Sequence, residues 1–127
     1  MSAEKNFSMK DTSITSLLQF LGICFLIYLL LDSNQVFDRV LIKVKYENAE
    51  QGDADAQFAL GQMYQEGKGV KQDLILAHMW FNIAASNGSE AAKKNRDAAE
   101  SRMTSEQIGK AQELARQCVE SDYKDCG

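Results

Sequence analysis

Ala49-Glu50-Gln51-Gly52-Asp53 returns 36 positions later as Ala85-Ser86-Asn87-Gly88-Ser89, and this pair of segments decides how the chain is read. Self-similarity at a period of 20–50 residues is the signature of a repeat architecture. In each copy an Ala-x-x-Gly closes an apolar-periodic run, and a new run opens after Asp53 or Ser89. Glycine suits the left-handed position that ends a helix, and Asp or Ser suits the N-cap of the next one. The flanks keep the same register: Val40 falls on Leu76, Val44 on Trp80 and Ala56 on Ala92.

Working outward, a helix over 34–51 is expected to carry Val36, Phe37, Val40, Leu41 and Val44 on one apolar stripe. A second is expected over 54–66, stopped by Gly67-Lys68-Gly69, a third over 73–87 with Leu74, Ala77, Trp80, Phe81, Ala84 and Ala85, and a fourth over 89–102. Thr104-Ser105-Glu106-Gln107 reads as a capping box, with Met103 and Ile108 as its hydrophobic staple, and opens a fifth helix that continues to about residue 120. Short connections make successive helices antiparallel. The 127-residue chain contains no proline and requires no strand.

The matched residues Ala56-x-x-x-Leu60-Gly61-x-x-Tyr64-x-x-Gly67-x-Gly69-Val70-x-x-Asp73-x-x-x-Ala77-x-x-Trp80-x-x-x-Ala84-Ala85-x-x-Gly88 resemble one full Sel1-like repeat, a relative of the tetratricopeptide repeat. Residues 35–52 resemble the trailing helix of a preceding repeat, and 89–118 a degenerate terminal one. The resemblance implies a protein-protein interaction module. Each matched position also has a physical reason: Ala56, Gly61, Ala77 and Ala84 let helices approach closely, while Leu60, Tyr64 and Trp80 fill the space between them. One complete repeat falls below the roughly three that such arrays usually need.

From Thr12 to Leu31 no residue is charged. About 20 apolar residues at 1.5 Å each cross a ~30 Å hydrocarbon core, so the expected transmembrane helix is 13–31. A cleavable signal sequence is the competing reading; the apolar run is longer than usual for one, and Leu31-Asp32-Ser33-Asn34-Gln35 lacks a small-x-small cleavage site. Gln19 either bonds a neighbouring membrane helix or reaches toward the interface. Lys5 and Lys10 before the span nearly balance Arg39, Lys43 and Lys45 after it, so the basic residues do not set an orientation. The expected organisation is a flank over 1–12, the span over 13–31, a linking amphipathic partial repeat over 32–52, the complete repeat over 53–88, and a terminal repeat with tail over 89–127. The fold class is all-α: one transmembrane helix followed by a short α-solenoid of antiparallel helix pairs.

The formal net charge of −4, with no basic patch interleaved with aromatics, argues against nucleic acid as a partner. The single His78 has no ligand-spaced Cys, Asp or Glu around it, and Gly67-Lys68-Gly69 lacks the strand and the Lys-Ser/Thr ending of a phosphate loop. No metal, cofactor, small-molecule substrate or catalytic group is therefore expected. Partners are expected to be proteins, subunits of a membrane complex. Phe58, Gln62 and Gln65 lie at i, i+4 and i+7 on helix 54–66, off the repeat's packing positions, and are the expected partner-binding face; Phe58 reads equally well as core. The runner-up function, suggested by the resemblance alone, is cell-envelope enzymology related to peptidoglycan or β-lactams.

Cys24 lies inside the apolar run, whereas Cys118 and Cys126 have seven residues between them near the C-terminus. On one continuous helix the latter two would stand about 12 Å apart, beyond the ~7 Å reach of a disulfide. A bond requires the helix to end between them, and Ser121-Asp122-Tyr123-Lys124-Asp125 is a plausible reversal; two free thiols in a frayed tail is the alternative. The pair also resembles the disulfides of cysteine-rich Sel1-like proteins. If bonded, it places the soluble part in an oxidising compartment, most simply the periplasm beyond a bacterial inner membrane.

Overall fold

A computed structural model of the chain describes the backbone of residues 2–127 and the side chains from Ile14 onward. Five helices make up the described residues: α1 (Ser2–Glu50), α2 (Ala54–Glu66), α3 (Leu74–Ser86), α4 (Glu90–Glu100) and α5 (Ser105–Glu120). They fall into two compact units, one up to Phe37 and the other Asp38–Gly127.

The first unit is helical. The stretch from Ile14 is long and apolar enough to cross a membrane by length and composition, with a mean hydropathy of 2.3 and none of its apolar window buried; a signal sequence near an N-terminus has the same properties. Leu17, Phe20, Leu26 and Leu30 are all more than half exposed. Ser33 returns its hydroxyl to the Leu29 carbonyl at 2.6 Å, so the polar residue after the apolar run satisfies itself within the helix.

In the second unit the 36-residue repeat is visible in the hydrogen bonds. Gly52 N donates to Ala49 O at 3.0 Å and Asp53 N to Asn48 O at 3.3 Å; one period later Gly88 N donates to Ala85 O at 3.1 Å and Ser89 N to Ala84 O at 3.0 Å. Both glycines have left-handed φ, 85° and 101°, which a side chain would strain. The next helix then starts on a side-chain cap: Asp53 accepts from Asp55 N at 2.9 Å, and Ser89 from Ala92 N at 3.2 Å. Asp73 caps α3 through Leu76 N at 3.0 Å. At α5 the expected box is complete, with Gln107 N donating to Thr104 Oγ1 at 3.2 Å and Thr104 N to Gln107 Oε1 at 2.9 Å. The third and fourth helices begin one residue later than their sequence signals because Asp73 and Ser89 are caps, and α4 ends two residues short of Arg102.

Helix α3 is central, packed by α2, α4 and α5. Its consecutive Trp80 and Phe81 are both fully buried but serve different clusters. Trp80 joins Ala49, Leu60, Met63, Ile83, Ala115 and Cys118; Phe81 joins Ala77, Ala84 and Ala92. Tyr46 meets Trp80 edge-on with ring centroids 5.6 Å apart. Gly61 is dictated by Phe81: a Cβ there would sit 2.5 Å from two ring carbons.

The stripe expected on the helix after the apolar run is not the face that packs. Val36, Phe37, Val40 and Val44 are 44–65% exposed, and only Leu41 of the five is half-buried. The packed face is Ile42, Tyr46 and Ala49. Two apolar stripes share this helix, and α2 and α3 cover the second.

Candidate interaction surface

Helix α2 holds the three residues expected to bind a partner. Phe58 is half-buried, its ring 5.9 Å from that of Phe81 and tilted by 42°, so it edges the second cluster. Gln62 and Gln65 are also half-buried. The carbonyl of Gln65 accepts from Gln72 Nε2 at 2.8 Å, which ties the end of α2 to the turn before α3. Within this trio, Phe58 contributes to packing and the two glutamines stand on the same helix face by register.

A second surface lies on helices for which the sequence suggested no contact role. Between α3 and α5 runs an open groove of about 400 Å³, with Ile83 and Ala115 at its floor, Asn82 and Gln112 on its walls and the half-exposed Val119 at its rim. Arg116 lines it too, held by Glu113 and Glu120. The hydrogen bond from Arg116, then that from Gln117, holds the Glu113 carboxyl down at about 2, and the bonds to Glu113 and then Glu120 raise the already basic Arg116 guanidinium. This rim is solvent-exposed, so the network sets local charge and contributes little to stability. Asn82 is fixed from outside the groove by Arg96 Nη1 at 3.1 Å.

The C-terminal hairpin packs onto the Trp80 cluster. Glu120 ends α5, Asp122 and Tyr123 take left-handed φ of 57° and 64°, and Tyr123 N donates to Cys118 O at 2.9 Å. The chain therefore turns back within the 121–125 segment. Cys118 and Cys126 come to 4.8 Å between Cα atoms, inside the range for a disulfide, with their sulfurs at bonding distance of 1.89 Å. Both are buried in the Trp80 cluster.

Two buried polar side chains had no evident local signal. Gln57, fully buried, donates Nε2 to Ala49 O at 3.1 Å and accepts Asn87 Nδ2 at 2.8 Å. Asn87 in turn reaches the Tyr123 hydroxyl at 3.3 Å, so one network joins both repeat junctions to the hairpin. His78, also fully buried, pairs Nε2 with Glu100 Oε1 at 2.8 Å and ties α3 to α4. Burial, then the hydroxyl contact with Tyr64, pushes the Tyr46 phenol well above its ordinary value. Among the described residues no three His, Cys, Asp or Glu side chains gather as a metal site.

Antiparallel helix pairs repeating at 36 residues, with glycine closures and small residues at the crossings, define a short α-solenoid of the helix-pair class. Residues 54–89 match the family model of the Sel1 repeat, and this segment is a Sel1 repeat. No curated protein and no solved structure matches the chain. The repeat is one that generally serves as a protein-protein interaction module.

Proposed function

We propose that this chain is a membrane-anchored protein-interaction module, a scaffold or accessory subunit of a membrane-associated complex and not an enzyme. The observation that carries the reading is the open groove along α3 and α5, apolar at its floor and polar on its walls, on a Sel1 repeat unit. Such a lining suits a peptide or loop whose backbone needs hydrogen-bond partners. The outer face of α2, with Gln62 and Gln65 beside the edge of Phe58, supplies the second contact. Residues 13–31 anchor the module. The buried pairing of Cys118 with Cys126 favours an oxidising compartment, with the repeat in the periplasm of a bacterial inner membrane and the N-terminus inside.

The test is co-purification of the full chain in mild detergent with mass spectrometry of what accompanies it. Val119→Asp and the pair Gln62→Lys/Gln65→Lys should each deplete the same proteins while Trp80 fluorescence stays native. A chain that purifies alone, or partners indifferent to both variants, would refute the reading. Thiol-reactive polyethylene glycol on intact cells tests the compartment: Cys118 and Cys126 should react only after reduction.

A further inference from the structure

The last turn of α5 is completed by the hairpin that follows it. Ser121 N donates to Gln117 O at 3.0 Å, Tyr123 N to Cys118 O at 2.9 Å and Asp122 N to Val119 O at 3.1 Å. Residues 121–123 thus satisfy three of the carbonyls that a helix end leaves without a partner. They do so with Asp122 and Tyr123 both left-handed, a conformation disfavoured for residues that carry a side chain, tyrosine more than aspartate. The Tyr123 hydroxyl reaches only the exposed Asn87, at 3.3 Å, so the covalent link from Cys118 to Cys126 is the strong constraint on the hairpin. The same turn carries Val119 and Glu120, which with Arg116 form the α5 side of the groove.

We propose that the Cys118–Cys126 bond is a redox gate on the α3–α5 groove. Oxidised, it keeps the hairpin closed and the Val119–Glu120 wall in place; reduced by a dithiol, it lets the hairpin open and the wall unwind. The proposal rests on the groove as the partner-binding site. Cys126 is the point of attack, lying between the exposed Asp125 and Gly127 and itself 6% exposed, whereas Cys118 is fully buried. A thiolate of the dithiol bonds to Cys126 Sγ, the bond to Cys118 breaks, and Cys118 leaves as a thiolate that takes up a proton. The second thiol then displaces Cys126, so two electrons and two protons pass to the chain and the dithiol becomes a disulfide.

The test uses the full chain with Cys24→Ser in neutral-lipid nanodiscs, followed by hydrogen exchange with and without dithiothreitol. Amides of 119–125 should exchange at least ten-fold faster after reduction, with α2 and α4 unchanged, and return to the oxidised rate on reoxidation. Cys118→Ser/Cys126→Ser should be fast in both conditions. Asp122→Gly, which removes the left-handed penalty at one position, should lessen the effect of reduction. Equal rates in the two states overturn the gate. So does faster exchange that spreads to α2 and α4 with a shift in Trp80 emission, since the bond is then a structural staple only. In a capture arm, proteins lost with Val119→Asp should be released by dithiothreitol from the native pair, and held weakly by the serine pair whatever the reductant. Proteins that stay on the reduced chain overturn the gate alone. Indifference to Val119→Asp removes the groove reading, and the gate with it, whatever the exchange shows.

Discussion

The side-chain amide of Asn87 donates to Oε1 of Gln57 at 2.8 Å, and Gln57 passes the connection on to the Ala49 carbonyl at 3.1 Å. The first residue sits at the end of α3, the last at the end of α1, and Gln57 is buried in α2 between them. One glutamine thus holds two successive repeat junctions in register. Its carbonyl and amide are both used, so its burial is compensated.

Replacing Gln57 with Leu keeps most of the volume and removes both bonds. Ala49 O retains Gly52 N, whereas the Asn87 amide loses its buried acceptor and keeps only Tyr123. The expected cost is about 0.5–1.5 kcal/mol per lost bond, the net worth of an ordinary hydrogen bond, because neither former partner is left buried and unpaired. Asn87→Ala should cost more, about 1–3 kcal/mol, because it strands the fully buried Gln57 Oε1 without its donor. In a double-mutant cycle the two changes should couple, since they share one bond. Denaturant unfolding followed by Trp80, the single tryptophan, measures all of this.

These contacts also mark how far local sequence can be read. The closures at Gly52 and Gly88 and the box at Thr104–Gln107 are local, involving residues no more than five apart, and residue type alone announces them. The face of α1 is different. Its sequence carries two apolar stripes, and which is covered depends on whether a helix exists on each side. The Val40–Val44 stripe is exposed, and the Ile42–Tyr46–Ala49 stripe is the one that packs. Gln57 had no local signal either, as its partners lie eight and thirty residues away. The α3–α5 groove arises from α5 seating on α3, a tertiary choice that helix periodicity does not encode.

Gly61 offers a test in which two effects oppose each other. Alanine is favoured over glycine in a helix interior by about 1 kcal/mol. The added methyl would meet the Phe81 ring at 2.5 Å, and that ring is fully buried. Overpacking of this kind costs about 1–3 kcal/mol, so Gly61→Ala is expected to destabilise on balance. Phe81→Leu, damaging by itself, should lose less in the Gly61→Ala background than in the native one. Thermal unfolding by circular dichroism of the four chains decides it; additive losses would mean that the two side chains do not meet.

The Cys118–Cys126 pair closes a short loop around the left-handed Asp122 and Tyr123. Cross-linking a loop of this length restricts the unfolded chain by about 2–3 kcal/mol in the chain-entropy model. Substituting both cysteines with serine should cost that amount and leave two hydroxyls in an apolar cluster. It should also release Tyr123 from Asn87, which limited proteolysis would report as new cleavage between residues 119 and 126. Intact mass under non-reducing conditions should be about 2 Da below that of the reduced chain, the two hydrogens lost on forming one bond.

Alkaline pH tests the Tyr46 environment. Burial and the Tyr64 hydroxyl both disfavour its phenolate, so its ionisation lies above the ordinary value of 10.0. A group whose ionisation is raised on folding stabilises the native state fully below the unfolded value, and loses that contribution as pH rises toward the folded value. Stability should therefore be flat in this respect up to about pH 10, the ordinary tyrosine value, and fall above it. Tyr46→Phe removes the phenol and should flatten the decline. In ultraviolet titration of the native chain, the late-ionising tyrosine signal should disappear in the same variant. An unchanged alkaline slope would mean that Tyr46 already ionises in the folded chain as it does in water, and that its contact with Tyr64 does not persist in solution.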